Sequence, residues 1–221
     1  VRAPTILFDL DGTLSDSARG ILAALRHSFA LNGLPPMDAR AEREVLGPPF
    51  YESLPPLIGD VPLDSVIAAY REYYGRSGMF DTAVFPGVAD LVESLRADGC
   101  RLAVATSKPE RYAAPIVEHL GLADHFDVIG GDALDGSRGT KALVIADVLR
   151  RLGDPAPSEV WMIGDRRHDV EGARAHGIET VGVRWGYALP GELEAAAPWA
   201  ICADAGEVAE VIEAGRDAAA S

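Results

Sequence analysis

Two kinds of hydrophobic pattern alternate along the chain. Short, nearly unbroken apolar runs fall at residues 5–10, 101–106, 126–129, 160–163 and 180–183, with a weaker one at 199–202. Between them apolar residues recur every three or four positions, at 88–98, 110–120, 141–152, 168–176 and 205–214. The first pattern predicts strands buried on both faces and the second predicts amphipathic helices. Glycines and turn clusters punctuate the helical stretches, as in "ADGC", "HLGL" and "RLGD". Such alternation predicts an α/β fold: a doubly wound, Rossmann-like parallel sheet with helices on both faces.

One interval breaks the rhythm. Residues 15–81 contain helical stretches at 18–31, 39–45 and 63–74, separated by "NGLPPMD", "GPPF" and "GDVPLD", and no strand is expected among them. The chain returns to the sheet at "VFPGVADL". The expected organisation is an α/β core of residues 1–14 and 82–221, with a helical cap of residues 15–81 inserted after the first strand.

Composition narrows the class. Of 221 residues, 48% are apolar and 24% charged, as in a soluble globular protein. No apolar run approaches the roughly 18–20 residues that cross a bilayer. The first strand is expected within about five residues of Val1, which leaves no room for a signal peptide. Val1 is not Met, so a trimmed or processed start is expected. Cys100 and Cys202 are far apart and form no CxxC, which suits core thiols in a reducing cytoplasm. A formal charge of −14 argues against a nucleic-acid partner. A small anionic substrate remains compatible, because a metal ion and one or two cations can reverse the field of one pocket.

Ligands of open α/β sheets bind beyond the carboxyl ends of the strands. At those ends the chain places Asp9 and Asp11, then Thr106 and Ser107, then Gly164-Asp165 with Asp169 four residues on. Lys141 follows the turn "LDGSRGTK" at a helix start. Each has an ordinary reading by itself. "DG" forms turns, Thr106 suits a helix N-cap, a lone lysine is usually solvated, and Gly-Asp suits a plain turn.

Together, DLDGT (Asp9 to Thr13), Thr106, Lys141 and GDRRHD (Asp165 and Asp169) stand in the order of a known motif set. The chain resembles the haloacid dehalogenase superfamily of phosphohydrolases over nearly its whole length. The resemblance implies a phosphomonoesterase. A carboxylate attacking a phosphate anion needs charge compensation, and Mg²⁺ supplies it through carboxylate oxygens, phosphate and water. Asp9 is then the nucleophile that carries an aspartyl-phosphate. Asp9, the main-chain carbonyl of Asp11 and the side chain of Asp165 hold the metal, and by the same resemblance Asp169 stands behind them and orients a bound water. Asp11 is the general acid and base, its proton kept available by the neighbouring Asp9 and partial burial. Thr106 and the Ser107 amide hold phosphoryl oxygens, Lys141 offsets charge on nucleophile and phosphate, and Gly12 lets the backbone approach closely.

Within the family, "EVLGPPFYESL" and "SGMFDTAVFPGV" resemble the phosphoglycolate phosphatase and 5′-nucleotidase-like branch. A phosphomutase would share the same core residues. A haloacid dehalogenase would lack the second aspartate, and a phosphonate-cleaving relative would need a cap lysine, which residues 15–81 do not contain. A non-catalytic receiver-like signalling domain would place its acceptor aspartate on a later strand. The expected partner is a small phosphorylated metabolite, with no nucleic acid or membrane, acting on a monomer or homodimer. Its identity stays open: Arg19, Arg26, Arg43, Arg71 and Arg76 offer cations for a carboxylate, while Phe50, Tyr51 and Tyr74 offer faces for a base.

Other residues receive plain readings. Arg166, Arg167 and His168 read as a solvated helix start, and Trp161 and Trp199 as core. Tyr70, Tyr73 and Tyr74 read as packing within the cap. His27, His119, His125 and His176 show no metal-ligand spacing.

Overall fold

The structure, a computed structural model, describes residues 3–134 and 137–219, with side chains through residue 215. Val1 therefore lies outside the described residues, as do Asp135 and Gly136 of the turn before Lys141.

Six parallel strands form the central sheet: β1 (Thr5–Phe8), β4 (Arg101–Pro109), β5 (Val128–Asp132), β6 (Val160–Gly164), β7 (Glu179–Val183) and β8 (Ala200–Cys202). Their spatial order is β5-β4-β1-β6-β7-β8. The chain winds outward from β1 to β5, returns to the other side of β1 with β6, and winds outward again to β8. The winding thus reverses at β1, where a doubly wound sheet opens a crevice. Strand β1 is wholly buried because helices cover both faces. Ile6 and Phe8 join one apolar cluster with Leu102, Val104 and Ile163, while Leu7 joins another with Ala103 and Met162. That alternation is the two-residue period of a strand, with both phases apolar. Each fully buried Leu, Ile or Phe stabilises the fold by roughly 1.5–3 kcal/mol relative to exposure.

Helices α6 (Val88–Ala97), α7 (Glu110–His119) and α11 (Ala205–Ala219) contribute to the first cluster, and α8 (Lys141–Arg151) and α9 (Arg167–Arg174) to the second. A short α10 (Glu192–Ala196) lies between β7 and β8. The inserted segment consists of α1 (Ala18–Leu31), α2 (Ala39–Glu44), α3 (Phe50–Ser53), α4 (Pro55–Ile58), α5 (Leu63–Tyr73) and a π-helical turn, Tyr74–Gly78. Ser28 Oγ donates to the Val66 carbonyl at 2.6 Å, joining α1 to α5.

Three expectations need correction. The interval expected to lack strands contains β2 (Ser15–Asp16), which pairs antiparallel with β3 (Ala83–Val84). This ribbon exists because the chain leaves and re-enters the core side by side, a pairing no local pattern announces. The strand expected at 126–129 runs instead as Val128–Asp132, after a single 3₁₀ turn at Ala123–His125. Trp199 is 59% exposed and not core. It precedes the edge strand β8 and touches the Trp161 ring edge-on, with centroids 5.8 Å apart. Cys100 and Cys202 are buried and stand outside any disulfide, as expected of core thiols. Among the described residues no helix is long and apolar enough to cross a membrane.

Candidate active site

Register decides which residues meet. Phe8 pairs with Val104 on one side and Ile163 on the other. The next residues, Asp9, Ala105 and Gly164, are therefore level, and Thr106 and Asp165 lie one step beyond. The Asp9 amide donates to the Ile163 carbonyl at 2.9 Å, extending the ladder to the nucleophile candidate itself.

Asp9, Asp165 and Asp169 form a buried carboxylate cluster whose oxygens come within 4.8 Å of one another. Lys141, the first residue of α8, reaches into it. Its Nζ lies 2.7 Å from Asp9 Oδ1 and 2.7 Å from Asp169 Oδ1, and donates to the Ala105 carbonyl at 3.0 Å. The helix is started by Thr140, whose hydroxyl accepts from the Leu143 amide. Burial works against the Lys141 charge, but Asp169 and Asp9 outweigh it and hold the ammonium above its ordinary range. Burial pushes Asp9 up to about 6, with Lys141 opposing and Asp169 and Asp11 adding to the rise. Asp165 is raised well above the ordinary carboxylate range, first by burial and then by Asp169 and Asp9. Three buried carboxylates against one lysine leave an excess of negative charge that a divalent cation would relieve. The all-oxygen donor set fits a hard ion such as Mg²⁺.

Two glycines have steric reasons. Gly12 has φ +92°, and a Cβ there would fall inside the Asp165 carboxylate. Its close approach is thus to Asp165, which also accepts from Thr13 Oγ1 at 3.2 Å. At Gly164 a Cβ would strike the Asp169 side chain, which folds back over the strand end. Asp169 also accepts from the Arg166 amide at 3.0 Å, starting α9.

Asp11 is buried but faces a different environment. Ser17 Oγ donates to its Oδ1 at 2.5 Å, and Lys108 Nζ pairs with its Oδ2 at 2.9 Å. Thr106 is buried and its hydroxyl accepts from the Lys108 amide at 3.2 Å, within the last part of β4, where the pairing with β5 shifts register between Thr106 and Pro109. The N-cap of α7 is Pro109, so Thr106 is not a helix cap. Beyond Asp11 opens a cavity of about 140 Å³ between the sheet end and the helical segment. Phe50, Tyr70, Tyr74 and Tyr112 line it, with Ser107 and Lys108 on the sheet side. Tyr70 and Tyr74 stack at 5.1 Å, and Tyr112 meets Tyr74 edge-on at 5.8 Å.

Residues 9, 11, 106, 107, 141, 165 and 169 thus gather at one strand end, with Gly12 supporting Asp165. Reading along the chain missed Lys108, although it is one of only two lysines in the protein and follows Thr106-Ser107 directly. Tyr187 was also missed and carries no local signal. Its amide donates to Asp165 Oδ2 at 2.6 Å, and its hydroxyl donates to Asp16 Oδ1 at 2.9 Å. The Ser17 and Ala18 amides donate to the same hydroxyl at 2.8 and 2.9 Å. Arg166 is not solvated: it is buried, donates from Nε to Glu192 Oε1 at 2.8 Å, and bonds the Leu46 carbonyl of the helical segment through Nη1.

Residues 6–183 match the family described as haloacid dehalogenase-like hydrolase. The tyrosine-protein kinase PtkA of Mycobacterium tuberculosis is 46% identical over 182 residues, 82% of this chain. The chain spans 62% of that protein's length. A 5′-nucleotidase of Pseudomonas aeruginosa is 36% identical over 215 residues, covering 96% of this chain and 97% of the relative. The crystal structure of a predicted phosphatase from Clostridium acetobutylicum superposes with a TM-score of 0.89 at 34% identity, covering 96% of this chain and 99% of that one.

Proposed function

Since this chain belongs to the haloacid dehalogenase-like hydrolase family, we propose that it is a Mg²⁺-dependent phosphomonoesterase of small phosphorylated metabolites that works through an aspartyl-phosphate. The observation that carries the reading is the division between two neighbouring carboxylates. Lys141 holds Asp9 Oδ1, and among the described residues no protein donor reaches Asp9 Oδ2, so one oxygen is oriented and the other is free to attack. Asp11 lies apart from that lysine, at the floor of the cavity where a leaving group would sit.

In this reading Asp9 Oδ2 attacks phosphorus as the ester P–O bond breaks. Asp11 gives its proton to the departing alkoxide and then takes one from the water that hydrolyses the acyl phosphate. Inorganic phosphate leaves and Asp9 is regenerated. Thr106 and Ser107, at the end of β4, stand where they can hold phosphoryl oxygens, and Lys141 balances charge. Asp9, Asp165 and the Asp11 carbonyl would hold Mg²⁺, with Asp169 behind them; the ion supplies the charge compensation that lets two anions meet.

The helical segment of residues 15–81 acts as a lid that shields the reaction from water. Arg166 and Lys108 tie it to the core through Leu46 and Tyr74. Two buried cysteines outside any disulfide suit the cytoplasm. Likeness to a tyrosine-protein kinase favours a second reading, transfer of the phosphoryl group to an acceptor other than water. Phosphate release from a panel of phosphorylated metabolites, with Mg²⁺ and no other acceptor, tests the first reading. Absence of release with every substrate, alongside transfer to a protein hydroxyl, would favour the second.

A further inference from the structure

Lys108 has no role in the proposed chemistry, yet it is held as firmly as Lys141. Its side chain is 7% exposed, inside a cavity walled by aromatic rings. Burying an ammonium is costly unless its N–H groups find acceptors. It has three, and two are used: one by Asp11 Oδ2 at 2.9 Å, one by the Tyr74 hydroxyl at 3.0 Å. Among the described residues the third has no protein acceptor. Burial works against its charge, but Asp11 and the surrounding tyrosines prevail and keep it protonated.

Position says what the third N–H could meet. A leaving-group oxygen that receives a proton from Asp11 must come within hydrogen-bond distance of that carboxylate. Lys108 Nζ is itself one hydrogen bond from the same carboxylate, on the cavity side. It therefore reaches the part of the leaving group just past the ester oxygen. An acceptor on the next carbon, in the sequence P–O–C–C–O, falls within its range. Tyr70, Tyr74 and Tyr112 wall the cavity beside it, Tyr74 with its hydroxyl already bonded to Lys108, and Ser107, Arg71 and Asp132 also line the cavity.

We propose that Lys108 is a specificity-determining residue that donates a hydrogen bond to an oxygen on the carbon adjacent to the ester carbon, so that the enzyme selects phosphates of alcohols bearing such a 2-oxygen. This rests on the phosphatase reading above and narrows its substrate class. A carboxylate next to the ester carbon, as in 2-phosphoglycolate, and the ring oxygen of a nucleoside 5′-monophosphate share that chemistry.

The test compares 2-hydroxyethyl phosphate with n-propyl phosphate, near-isosteres that differ by one oxygen, through kcat/KM with Mg²⁺. A charge-assisted hydrogen bond should favour the first by roughly 10–100-fold. Lys108→Met should lower both rates, since Asp11 loses its partner, and should erase the preference. Lys108→Gln, which keeps an N–H donor, should retain part of it. With 2-phosphoglycolate and a nucleoside 5′-monophosphate as further arms, a greater loss in Lys108→Met for the former identifies a carboxylate as the acceptor, and a greater loss for the latter identifies a neutral ring oxygen.

A wild type with no preference overturns the proposal without need of a variant. A preference that survives in Lys108→Met also overturns it and leaves Lys108 a positioning residue for Asp11. Failure of the wild type to hydrolyse any of these, or p-nitrophenyl phosphate, overturns the phosphatase reading and this inference with it.

Discussion

Lys141 Nζ stands 2.7 Å from Asp9 Oδ1 although the two residues lie 132 positions apart, and both side chains are nearly sealed from solvent. The pair sets one ammonium directly against two of three clustered carboxylates, Asp9 and Asp169. Replacing Lys141 by Met leaves buried negative charge uncompensated, which typically costs about 3–5 kcal/mol. Thermal unfolding of Lys141→Met should therefore show a large loss of stability, part of which Mg²⁺ restores by binding the folded state. An unchanged melting temperature would show that the cluster does not need its lysine.

Chelation should abolish activity and Mg²⁺ should restore it, while Ca²⁺ should inhibit. Ca²⁺ accepts more ligands at longer distances, so it can engage both oxygens of a carboxylate, and Asp9 held that way cannot attack. Asp165→Ala should weaken Mg²⁺ affinity and lower the rate together. Titration of Mg²⁺ by calorimetry alongside phosphate release checks both. Full activity after exhaustive chelation would remove the metal from the scheme.

Asp11→Asn separates the two aspartates of DLDGT. The amide keeps the shape and the backbone carbonyl but cannot exchange protons, and loss of a general acid and base costs about 10²–10⁴-fold in rate. Alkyl phosphates should suffer most, since an activated aryl leaving group departs without protonation. Phosphoenzyme should then accumulate on Asp9 from an aryl phosphate, because its hydrolysis is also impaired. Rapid quench followed by hydroxylamine treatment detects it. Equal losses for aryl and alkyl substrates with no trapped phosphoenzyme would contradict the assigned roles.

Glu192 links acid stability to the contact between Arg166 and the helical segment. Burial would raise its carboxyl, but hydrogen bonds from the Arg166 side chain and the Leu189 and Arg167 amides outweigh it and hold it below the ordinary value of 4.5. A carboxyl depressed by folding contributes stability that is fully present above its unfolded value and is lost as pH falls through the folded one. Glu192→Gln should cost about 2 kcal/mol at pH 7, the scale of hydrogen bonds to a charged partner, and the difference from wild type should shrink as pH falls below about 4.5. Denaturant midpoints across that range measure it. A difference independent of pH would mean the carboxylate charge is not what stabilises the contact.

Local patterning determined much of this protein. Apolar runs and amphipathic periods are short-range properties, so the parallel α/β core, the helical interruption after β1, and the placing of three motifs at strand ends and of Lys141 at a helix start follow from them. Asp9, Thr106, Lys141 and Asp165 were legible because each sits where a recognisable strand or helix must stop or start. Only the tertiary structure decided how those ends are joined. The β1–β4 and β1–β6 registers bring residues about a hundred or more positions apart to one level. Lys108 became visible as a site residue once the π-helical turn carried the Tyr74 hydroxyl to within 3.0 Å of it. Arg166 reads as a solvated arginine until Glu192 and the Leu46 carbonyl close around it. Tyr187 has no neighbouring signal at all, because its partners, Asp16 and Asp165, come from other parts of the chain. Burial and pairing depend on what arrives from far along the sequence, and no local pattern encodes it.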